Sequence, residues 1–118
     1  MAKASWLYIV ASAPYRDRTP SDPAFDAIMA CAAFGQLTSV VLTGAGLAYL
    51  DPLIEPPEGC TDLRKHLRAL PLYDVDTLYV TDAPSGETPL ADDLSIERIS
   101  HQALKTLMAE ATHTVVFP

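Results

Sequence analysis

"SWLYIVASAPYRDRTPSDPAFDAIMACAAFG", residues 5–35, is the stretch on which the fold class turns. Its first eight residues are almost continuously apolar, with β-branched and aromatic side chains, the pattern of a strand buried on both faces. Pro14, Pro20 and Pro23 then mark a loop. Ser21 or Asp22 stands where a helix needs its N-cap, and Pro23 falls in the first turn, where a missing N–H costs nothing. The helix 24–34 runs to Gly35, a natural stop. A buried strand, a loop and a helix make half of a βαβ unit.

The rest of the chain repeats that alternation. "TSVVLT" (38–43) reads as a second strand and "GAGLAYL" (44–50) as a short helix. Thr61 is placed to cap a helix over 62–70, whose Leu63, Leu67 and Leu70 form one apolar stripe. Strands follow at 76–81 and 94–99, then a Ser100-capped helix at 101–111 and a last strand, "HTVVF", at 113–117. This order predicts an α/β architecture with a five-stranded, mainly parallel sheet and helices on both faces. A chain of 118 residues suits one domain, residues 1–118.

Composition narrows the function classes. Apolar residues are 49% of the chain, yet no apolar run approaches the roughly 20 residues that cross a bilayer. The N-terminal segment reads as a first strand and not as a secretory leader. With only Cys31 and Cys60, this points to a reducing cytoplasm. A net charge of −7 disfavours unaided contact with nucleic acid.

The first helix has an unusual outer side. Phe25, Ile28, Met29, Ala32 and Ala33 share one face, as a core requires; Ala27, Ala30, Cys31 and Phe34 share the other, and Asp26 is the helix's only charge. A helix apolar all round must be covered all round. Ala27, Ala30, Cys31 and Phe34 are therefore expected to meet another chain.

Candidate chemistry is sparse. "DTLYVTDAPSG" (76–86) runs a strand into a ledge that offers Thr81, Asp82 and Ser85 but no cysteine, histidine or lysine. Cys31 lies among apolar neighbours, where a thiol behaves as a small hydrophobe. Cys60 is the better placed thiol, just before a helix N-terminus with Arg64 and Lys65 one turn on, although Glu58 and Asp62 oppose them. Neither cysteine has the companions of a zinc site, and no metal or cofactor is expected. His66 and His101 fall on apolar stripes and read as core histidines. Gly44 and Gly46, with Arg16 and Arg18, leave open a small-ligand or nucleotide-binding module.

Two segments, "SAPYRDRTPSDPAFDAIMACAAF" (12–34) and "LPLYDVDTLYV" (70–80), resemble the DsrE/DsrF-like sulfur-relay family, nearest to its TusC/DsrF branch. The resemblance covers about residues 5–117. It implies a three-layer, flavodoxin-like fold in cytoplasmic assemblies of related subunits, usually hetero-oligomers, that hand persulfide sulfur to a downstream relay protein. Such assemblies serve wobble-uridine 2-thiolation of tRNA or dissimilatory sulfur oxidation. The family's working cysteine lies just after strand three, in a TusD/DsrE-type subunit; Val80, Thr81, Asp82 and Ala83 stand there in this chain. The resemblance thus implies a non-catalytic subunit. The residues alone keep two alternatives: a sulfur carrier using Cys60, and a stand-alone ligand-binding module. A homo-oligomer also remains open.

Overall fold

The computed structural model describes residues 4–15, 22–51, 54–60, 62–75, 77–81 and 95–118. Strand β1 (Ser5–Val10) leads into helix α1 (Pro23–Ala33), β2 (Leu37–Leu42) and a 3-10 segment, Gly44–Leu50. Helix α2 (Leu63–Ala69) continues into a second 3-10 turn, Leu70–Tyr73, before β3 (Leu78–Val80). Then come β4 (Ile96–Arg98), α3 (His101–Glu110) and β5 (His113–Phe117).

The five strands form one sheet in the order β4-β3-β2-β1-β5, every neighbouring pair parallel. Layers and strand direction are those the alternation predicts. The order has its own character, since the flavodoxin order 2-1-3-4-5 would set β3 beside β1. Here β1, β2, β3 and β4 step one way across the sheet, and only the passage to β5 reverses. Right-handed crossovers then put α1 and α2 on one face and α3 on the other.

Strand alternation divides the core accordingly. Tyr8, Val10, Val40, Leu42, Leu78 and Val80 face α1, α2 and the first 3-10 segment, and this is the larger core. Leu7, Ile9 and Val41 point the other way, where Leu104 and Leu107 of α3 pack on them. Leu63, Leu67 and Leu70 are all buried, as their stripe predicts.

Several local expectations are corrected. The cap of α2 is Asp62, whose carboxylate accepts from the Arg64 amide; Thr61 lies outside the described residues. Ala33 is exposed and Ala24 takes its place in the core. His101 is exposed at the start of α3, because that helix meets the sheet through Leu104 and Leu107.

Cys31 and Ala27 do not lie on the outer side of α1. Both are half-buried against the larger core, and the Thr38 hydroxyl donates to the Cys31 sulfur at 3.6 Å. A helix of small apolar residues gives periodicity little contrast, so the expected face was rotated. Ala30 and Phe34 do face outward, Phe34 at 83% exposure.

The glycines after β2 have a structural task. Gly44 adopts a positive φ of 54°, and a side chain on Gly46 would collide with the Val10 carbonyl oxygen. Gly46 therefore lets the 3-10 segment lie directly on the end of β1, a close approach that only glycine permits. We expect Gly46→Ala to lower the free energy of unfolding by about 1–3 kcal/mol, the range typical of an overfilled core. Urea denaturation checks this; an unchanged midpoint would contradict the packing role.

Candidate functional site

The ends of β1, β2 and β3 are tied together by hydrogen bonds before any loop chemistry begins. The Val10 carbonyl accepts the Thr43 amide at 3.1 Å, and the Leu42 carbonyl accepts the Thr81 amide at 3.2 Å. The Thr81 hydroxyl donates to the Thr43 hydroxyl at 2.6 Å. Thr81 is 1% exposed, so its oxygen is committed to this junction and shielded from solvent. Of the ledge residues, then, Thr81 is structural, and Asp82 lies outside the described residues.

A shallow, open cleft lies between the loop after β1, the first 3-10 segment and the start of α2. Pro14, Ala48, Ile54 and Leu63 supply its apolar walls, and Tyr15, Tyr49, Asp51 and Arg64 its polar groups. Tyr15 has a positive φ of 58°, uncommon for a bulky residue. That conformation brings its hydroxyl to the α2 start, where it accepts the Leu63 amide at 3.0 Å.

Asp22 holds Tyr49, one of the lining residues. One carboxylate oxygen accepts the Phe25 amide and caps α1; the other accepts the Tyr49 hydroxyl at 2.6 Å. Tyr49 also packs on Phe25, with ring centroids 4.9 Å apart. Burial, and then the bond to Asp22, raises the Tyr49 phenol above its ordinary range. Tyr8, buried next to Cys31, is pushed up to about 12, first by burial and then by the thiol.

Cys60 lies just before α2. It closes a turn in which its amide donates to the Pro57 carbonyl at 2.9 Å and Gly59 takes a φ of 84°. The thiol is half-buried and does not line the cleft. Arg64, one turn on, has its Nε 3.4 Å from the Asp62 carboxylate. Among the described residues no group of three or more histidine, cysteine or acidic side chains is placed to hold a metal ion. Arg16 and Arg18 lie outside the described residues, so the glycine loop is seen without them.

Sequence reasoning found Asp22 as a possible cap but missed Tyr15 and Tyr49. The Asp22–Tyr49 bond joins residues 27 positions apart, and no local pattern signals it.

The family model described as "DsrE/DsrF-like family" matches residues 4–117. Among solved structures, the fold is similar to the crystal structure of the YchN protein from E. coli. The TM-score is 0.71 at 17% identity, over 98% of this chain and 100% of that one. No curated protein matches the chain.

The two raised phenols have a definite consequence in base. Each is held neutral in the folded state, so their stabilisation is complete below about pH 10.0 and is lost as pH rises towards and past about 12. Thermal melts should hold steady up to the lower value and fall above it. The double variant Tyr8→Phe, Tyr49→Phe should fall less steeply, and an equally steep fall would refute this assignment.

Proposed function

The chain belongs to the DsrE/DsrF-like family, and from that premise we propose that it is a non-catalytic subunit of a cytoplasmic sulfur-relay complex. Its single domain, residues 1–118, would stand beside related subunits, in a hetero-oligomer, and help present a partner's persulfide to the next relay protein. The pathway served is tRNA wobble-uridine 2-thiolation or dissimilatory sulfur oxidation. The observation that carries this reading is Thr81. Where the resemblance places the family's working cysteine, just after β3, this chain begins its exit with a buried hydroxyl bonded to Thr43. Persulfide exchange needs an attacking thiolate, and a threonine hydroxyl cannot replace it.

The outer side of α1 supports an assembly. Ala30 and Phe34 are exposed, and at the same pole of the sheet Leu37, Leu72 and Tyr73 are exposed too. Phe34 follows α1, Leu37 opens β2, and Leu72 and Tyr73 precede β3, while α1 packs against the turn that carries the last two. Such a gathering of large apolar side chains marks an interaction surface. The four residues first expected there thus reduce to Ala30 and Phe34.

Co-expression with other DsrE/DsrF-like subunits from the same genome tests the proposal. The wild-type chain should co-elute with them as one oligomer, and Phe34→Glu should weaken that association at least about tenfold, since a charge is desolvated at the contact. A wild-type chain that elutes alone in their presence would overturn the reading.

A further inference from the structure

The two edges of the sheet are built differently. The β4 edge is three residues long and carries Glu97 and Arg98, both exposed. Short length and charge are the usual means by which a sheet edge is kept from pairing with another chain. The β5 edge is five residues long, "HTVVF", without lysine, acid or proline, and no described strand lies beyond it.

The hydrogen-bond pattern shows which groups that edge presents. Phe117 turns its carbonyl to β1, accepting the Ala11 amide at 2.8 Å. Backbone direction alternates along a strand, so His113, Val115 and Phe117 address β1, while Thr114 and Val116 point their N–H and C=O groups away from the sheet. Thr114 and Val116 are both exposed, Val116 at 52%.

We propose that β5 pairs antiparallel with β5 of a second copy of this chain, about a twofold axis through Val115, making one continuous sheet. Thr114 and Val116 of one copy exchange both N–H···O bonds with Val116 and Thr114 of the other. His113 then stands across from Phe117, and Val115 from Val115. This register extends an aromatic row already present, in which His113 lies tilted against Trp6 with centroids 4.2 Å apart and Phe117 stacks on Tyr8 at 6.4 Å. Aromatic and β-branched residues are favourable opposite neighbours in antiparallel pairs.

Charge favours a second copy at this place. Two chains of net charge −7 repel over most of their surfaces. From Ala111 to Phe117 there is no carboxylate and no lysine or arginine, so identical copies meet here with the least repulsion. A twofold axis also lets one patch complement itself. The surface is separate from the outer side of α1, so this pairing stands or falls independently of the proposed subunit role.

The test uses the purified full chain. Light scattering over a rising concentration series should show conversion to a dimer. Val116→Pro should run as a monomer throughout, with its circular dichroism unchanged. Proline at 116 removes only an outward N–H, so the β1–β5 ladder is preserved. Amide exchange of the wild type gives a readout that needs no variant: the Thr114 and Val116 amides should slow by about tenfold or more as the dimer forms. Phe34→Glu should leave this dimer intact. A wild type that stays monomeric, a dimer whose Thr114 and Val116 amides remain unprotected, or a folded Val116→Pro that still dimerises would each overturn the proposal.

Discussion

The carbonyl of Val10 is the point through which the upper end of this molecule is organised. It accepts the Thr43 amide, which fixes β1 to β2, and it lies against Gly46, which lets the first 3-10 segment settle on the strand end. Because the segment sits so close, Tyr49 reaches Asp22 and packs on Phe25. Asp22 in turn caps α1, and α1 covers the larger core. A side chain at position 46 would break the first contact and loosen each of the others in turn.

That junction also determines what the strand exits can do. In an open α/β sheet the crevice beyond the strand ends is the usual place for chemistry. Here the described part of it is knit by Thr43, Thr81, Tyr15 and Asp22, and no buried side-chain oxygen or nitrogen among the described residues lacks a partner. The cleft is shallow and open, and neither cysteine lines it. The polar groups at this end hold the fold together. Phe34, Leu37 and Leu72 lie at the opposite pole, so surface and exits are separate features.

Much of the fold was legible in the sequence for physical reasons. β1 and β5 carry dense β-branched and aromatic runs, α2 has a clean leucine stripe, and Ser100 and Asp22 are caps with the right neighbours. Contrast is lacking in α1, where alanine, methionine and cysteine are nearly equivalent on every side, so periodicity does not fix the face on which Cys31 lies. The site was less legible than the fold. Its bonds, Tyr15 to Leu63 and Tyr49 to Asp22, join distant residues through a backbone turn at positive φ and a glycine contact. Neither leaves a period or a motif behind. Of the Gly44–Gly46 pair, open to a nucleotide reading by composition, Gly46 lies against the Val10 carbonyl.

The role proposed for this chain is to support sulfur transfer without itself holding sulfur. Intact-mass measurement after incubation with a persulfide donor tests it most directly. The prediction is that the chain gains no sulfur on either Cys31 or Cys60, while a family subunit with a cysteine after its third strand, treated alongside, gains one. A gain of one sulfur that maps to Cys60 and disappears in Cys60→Ser would overturn the proposed role and make the chain a carrier.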